Sequence, residues 1–215
     1  MSRAVEIAYV KVREGILSGA FAPGTHLKEA ELVEFCGVSR TPIRSALNRL
    51  VADDLIEMHR NQGARVKEWP EDDVEDLFAL RTLLEGHAAA CAAGRISLNE
   101  LEKIELAIEE MDAVLASRKP LTVKTREFLR LNAVVHASIW QASGSARLQS
   151  ILTKLVEQAL QVRTAATFTL ERIAESHHHH KELLRALRAG DSVWAEAIMR
   201  SHIRAAQASL ARPAD

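Results

Sequence analysis

Aromatic side chains are scarce, at 4% of 215 residues, while Ala, Leu and Glu abound. So few rings favour helices packed on helices. No apolar run approaches the roughly 20 residues a membrane span needs, so no membrane partner is expected. The opening Met1-Ser2-Arg3-Ala4-Val5-Glu6 carries an early acid and no signal-peptide core. There are only two cysteines, Cys36 and Cys91, far apart in expected helices. That pattern reads as buried, reduced thiols in a cytoplasmic protein, and argues against a disulfide. An excess of one charge is also missing. The net charge is −1, and residues 1–69 hold ten Lys or Arg against nine Asp or Glu. Bulk electrostatics therefore neither select nor exclude nucleic acid, and only local clustering can inform. The length suits one large or two small domains with a proper core.

One local absence is more telling. No acidic residue occurs from Cys36 through Ala52, a stretch that holds Arg40, Arg44 and Arg49. Residues Ser39-Arg40-Thr41-Pro42-Ile43-Arg44 followed by Ala46-Leu47-Asn48-Arg49-Leu50 read as a helix with an apolar face at Ile43, Leu47 and Leu50. Ser39 is positioned to cap it and Gly37 to supply the positive φ of the preceding turn. A short basic helix after a Gly turn is what a DNA major groove accepts.

The flanking elements fit that reading. Val5, Ala8, Tyr9, Val12, Ile16 and Leu17 recur at helical spacing, and Gly19 ends the helix. Lys28 to Phe35 predicts a second short helix with Leu32 and Phe35 inward. Leu55-Ile56-Glu57-Met58 predicts a strand, His59 to Gly63 a turn, and Ala64-Arg65-Val66-Lys67 its partner.

This order resembles the winged helix-turn-helix domain of the GntR family of bacterial transcription regulators. The residues that carry the likeness are Phe21-Ala22-Pro23-Gly24-Thr25-His26-Leu27, Glu31-Leu32, Gly37 to Arg44, Ala46-Leu47, Leu50 and Leu55-Ile56. The resemblance implies that Arg40 and Arg44 make the main DNA contacts, with Ser39, Thr41 and Pro42 at the groove edge. An Arg there can fork onto guanine, while the hydroxyls suit phosphate. Gln62 and Gly63 at the wing tip would approach the minor groove or backbone. Arg49 completes the set, with an ion pair to Asp53 as its alternative role. Where some relatives have an Arg in the second helix, this chain has Ala30.

Trp69-Pro70 breaks the pattern, and the expected division is residues 1–69 for DNA binding and 70–215 for an all-α antiparallel bundle. Six helices are predicted, at about 72–93, 97–117, 122–143, 145–168, 171–189 and 191–210. Consecutive helical residues point about 100° apart, so the run His177-His178-His179-His180 cannot converge on one ion. The apolar face through Ile173, Leu184 and Leu187, with His177 adjoining, makes His180 the member most clearly aimed inward. Asn132 and His136 share a face with Phe128 and Ile139, and His202 follows Trp194 and Ile198. An i, i+4 pair plus single His from two further helices suits a divalent cation inside a bundle, although a lone buried His is more often a core residue.

Residues 71–210 also resemble the effector domain (FCD) of the FadR branch of GntR regulators, and within it the six-helix, metal-containing, VanR-like group. The match rests on Arg81-Thr82-Leu83-Leu84-Glu85, Asn132 to His136, and the spacing of His180, Asp191 and His202. The resemblance implies a divalent transition metal, Zn or Ni, on Asn132, His136, His180 and His202, with Arg81 binding a small carboxylate effector. Asn132 stands where the group also uses Asp, so the site would lack that carboxylate. Arg81 has an i, i+4 pair with Glu85 as its other reading. Altogether the resemblance implies a mainly α, homodimeric regulator, a repressor of a palindromic operator. A metal-responsive regulator and a metal-dependent hydrolase are the alternatives, the latter without an evident carboxylate base.

Overall fold

The computed structural model describes residues 2–59, 63–164 and 169–208, which form nine helices and a three-stranded sheet. They divide into two compact units, Met1–Val74 with Val156–Ala166, and Glu75–Leu155 with Thr167–Asp215.

In the first unit, α1 (Arg3–Leu17) buries Ala8, Val12 and Ile16, spaced four apart on one face. The chain then turns, and Phe21 packs back so closely on Gly15 that a Cβ there would lie 2.5 Å from the ring. A short strand β1 (His26–Leu27) leads into α2 (Glu29–Cys36). Gly37 ends α2 in the left-handed region at φ 71, which reverses the chain into α3 (Arg40–Ala52). Ile43, Ala46, Leu47 and Leu50 of α3 are buried against α1 and α2. Strands β2 (Ile56–His59) and β3 (Gly63–Val66) form the expected hairpin, with Ile56 opposite Val66 and His59 opposite Gly63.

Two features depart from expectation. The sheet has a third strand, because β1 pairs with the other edge of β3 through His26–Arg65 and Leu27–Ala64. In α2, Cys36 and not Phe35 joins Leu32 in the core. Phe35 is 48% exposed and meets Phe21 edge-on at 5.2 Å.

The second unit is built from α4 (Glu71–Ala93, from its second turn), α5 (Leu98–Ala116), α6 (Leu121–Ala142), the start of α7 (Ala146–Thr164), α8 (Leu170–Ala189) and α9 (Ser192–Ala208). A capping box between Ser97 and Glu100 starts α5, and Gly190 at φ 66 ends α8. Helix α5 packs on α6 and α8, and α8 packs on α9. Ala88, Ala89 and Ala92 of α4 are wholly buried, which permits close helix approach. Gly86 does the same against α9, since a Cβ there would lie 2.8 Å from Arg200 Cγ.

The buried face of α9 is rotated from the expected one. Ala195, Met199, His202 and Ile203 are buried, whereas Trp194 and Ile198 are only half-buried. Of the two cysteines, both free, Cys36 is buried as expected and Cys91 is only half-buried.

Candidate functional site

Helix α3 presents Ser39, Arg40, Thr41 and Arg44 to solvent, with Pro42 half-buried beside them. Ser39 holds the N-cap position, yet its side chain makes no cap hydrogen bond. Pro42, in the first turn, has no N–H to satisfy. Gly63 begins β3 with φ 84, while Gln62 lies outside the described residues.

The basic surface is less free of acids than its own segment suggests. Arg44 Nε donates to Glu29 Oε1 of α2 at 2.8 Å, and Arg44 holds the Glu29 carboxylate below its ordinary range. Arg49 is paired with Glu6 of α1 at 2.7 Å, where Asp53 was expected. Its guanidinium lies 3.8 Å from the centre of the Tyr9 ring, and Tyr9 Oη donates to Asp53 at 2.7 Å. Arg49 thus ties α3 to α1 more than it reaches outward.

In the second unit, three helices bring His136 (α6), His180 (α8) and His202 (α9) together, all buried. One ring nitrogen from each lies within 4.8 Å of the others. An ion ~2.1 Å from each nitrogen would hold its ligands roughly 3–4 Å apart, so small rotations complete the set. His136 Nε2 and His202 Nε2 are already 3.1 Å apart. Both nitrogens of His180 and Nδ1 of His202 are buried with no hydrogen-bond partner. Leaving each unpaired costs about 1–3 kcal/mol, a cost that a shared cation offsets at the nitrogens it binds. Burial, and then the neighbouring imidazoles, push His180 and His202 well below the ordinary imidazole range. They therefore stay neutral, the form that binds metal. Asn132 is half-buried one turn before His136.

Behind His136 stands a group the sequence reading did not place. Glu85 of α4, fully buried, lies with Oε2 2.6 Å from His136 Nδ1, while its Oε1 accepts from Arg81 Nε and Nη2, each at 2.8 Å. Burial alone would raise the Glu85 carboxyl, but Arg81 and His136 overcome it and hold it at about 2. With Glu85 a carboxylate, the neutral His136 ring carries its proton on Nδ1, the tautomer that leaves the Nε2 lone pair facing the cluster.

The His177–His180 run divides by direction. His180 enters the cluster, and His177 Nε2 lies 2.8 Å from Asp112 of α5, which also accepts from Lys181. His178 is exposed, and His179 is half-buried with its ring 5.9 Å from that of His202.

Residues 5–66 match the gntR family of bacterial regulatory proteins, and residues 76–205 match the FCD domain. The chain belongs to the GntR family and carries an FCD domain. Its relatives include the HTH-type transcriptional regulator YdhC of Bacillus subtilis (strain 168), 28% identical over 144 residues, 67% of this chain. That match spans 62% of YdhC, less than two thirds of its length. The HTH-type transcriptional repressor GlaR of Escherichia coli (strain K12) is 27% identical over 203 residues, 91% of this chain and 90% of that one. Among solved structures, E. coli McbR/YncC has the same fold, with a TM-score of 0.83 over 98% of both chains at 22% identity.

GntR proteins regulate transcription and are not enzymes, which removes the hydrolase alternative. Among the described residues of this regulator, no helix is long and apolar enough to cross a membrane.

Proposed function

We propose that this GntR regulator is a cytoplasmic, dimeric repressor of a palindromic operator, with a divalent transition metal in the second unit and a small carboxylate as its effector. Ser39, Arg40, Thr41, Pro42 and Arg44 read or grip the duplex, with Gln62 and Gly63 at the wing. His136, His180 and His202 hold a Zn²⁺- or Ni²⁺-like ion, with the Asn132 amide as a fourth donor. The observation that carries this reading is the convergence of three buried imidazoles, one nitrogen each within 4.8 Å of the others.

When bound, an ion with open coordination positions supplies electrostatic attraction for a carboxylate. Glu85 keeps His136 in the ligating tautomer. Arg81 is the adjacent cation, and an incoming carboxylate competes with Glu85 for its guanidinium. The effector acts by binding one arrangement of the dimer better than another, because equal affinity would shift nothing.

The test combines metal analysis with operator binding to a duplex from the chain's own promoter region. One ion per chain is expected, lost in His180→Ala and retained in His178→Ala. Equal retention in both variants overturns the assignment of ligands. If chelation alone changes operator affinity and no organic acid adds to it, the ion itself is the signal.

A further inference from the structure

The three-histidine cluster uses one member of the His177–His180 run, and His177 is engaged by Asp112. His178 and His179 remain. We infer that they form a loading path along which a divalent transition ion passes from solvent to the buried cluster, an inference that rests on the metal reading above.

The side chain of His178 is 71% exposed, and its Nε2 lies 3.8 Å from Glu182, one turn further along α8. An imidazole and a carboxylate on one helix face make a weak two-donor capture point. The His178 and His179 rings are 6.4 Å apart. His179 is half-buried, with Nδ1 buried and without a partner. Its ring stands perpendicular to that of His202 at 5.9 Å, and His202 is 4.7 Å from His180. The rotation of about 100° per residue that keeps the four histidines from one ion also carries them around α8. His178 faces water, His179 the flank, and His180 the interior. An ion moving along this series exchanges water for nitrogen one ligand at a time. It is never stripped of all its donors at the threshold of a site whose three imidazoles are at most 5% exposed.

The experiment uses the full-length protein, stripped with chelator, and cobalt(II) as the probe. Ligand-field absorption reports arrival at the nitrogen site in stopped flow, and equilibrium titration gives stoichiometry and affinity. In the double variant His178→Ala, His179→Ala, stoichiometry and affinity should remain those of the wild type. Uptake and release should both slow by about tenfold or more, since raising a barrier without changing the end states slows both directions. His59→Ala, in the other unit, should change neither rate. Wild-type uptake in the double variant overturns the path. Loss of stoichiometry overturns it too, since His178 or His179 would then be a ligand. Failure of the wild type itself to bind cobalt removes the metal reading and the path together, before any variant is made.

Discussion

Glu85 Oε2 lies 2.6 Å from His136 Nδ1, and the same carboxylate is held from its other oxygen by Arg81. This arrangement places a negative charge behind a candidate ligand while a positive charge shares it. Removing the two partners should therefore move metal affinity in opposite directions. Glu85→Gln releases the tautomer lock and the compensating charge, and it should weaken metal binding by roughly 10–100-fold. Arg81→Gln removes a nearby cation and leaves Glu85 to His136, so affinity should rise. Chelator competition measures both. A fall in both variants would show that the pair only supports packing.

Arg44 is exposed and paired with Glu29 across α2 and α3. Arg44→Ala should weaken operator binding by about 10–100-fold, the scale of one lost bidentate base contact, and relax base preference. Glu29→Gln frees the guanidinium and removes an acid near phosphate. Binding should tighten by about fivefold at most, as for an exposed ion pair. Fluorescence anisotropy over a salt series reads both. Unaltered affinity in Arg44→Ala would place the reading elsewhere.

The metal-free protein should lose stability as pH falls from 7.5 to 5.5. His180 and His202 have folded pKa values well below 6.5, so the unfolded chain gains protons there that the folded chain refuses. Stability is then present above about pH 6.5 and declines below it, by up to ~1.4 kcal/mol per proton for each pH unit. Glu85, at about 2 when folded, extends the decline below the ordinary carboxylate range of ~4.5. A melting temperature that is flat or rising on acidification would contradict this.

Gly37→Ala should destabilise the first unit by roughly 1–2 kcal/mol, the cost of a side chain in the left-handed region. No atom lies within 4 Å of the added Cβ, so conformation and not crowding sets the penalty. Gly37→Asn should lose less. Denaturant midpoints decide it, and equal losses would point to a packing cause instead.

The long helices were legible because Gly19, Gly37, Ser97, Gly144 and Gly190 punctuate clear helical periodicity. Other features needed the third dimension. Strand β1 is two residues long and exists only because β3 pairs with it. Phe35 and Cys36 both fit helical spacing from Leu32, and the larger side chain was the wrong choice. In α9, Ala195 and Met199 take the buried face in place of Trp194 and Ile198, since a small residue such as Ala195 weighs little in a periodicity reading. The three histidines were individually visible from their helix faces. Glu85 was visible only as the i, i+4 partner of Arg81; that it reaches His136 depends on how α4 meets α6. Glu29 likewise lies outside the acid-free segment that singled out Arg44.

The uncapped start of α3 has a consequence for motion. With the Ser39 hydroxyl unused by the helix and Pro42 lacking a donor, the Arg40 and Thr41 amides open the first turn without that stabilisation. A phosphate oxygen docking there would complete the turn, so contact with duplex would stiffen the very segment that reads it, coupling recognition to local ordering.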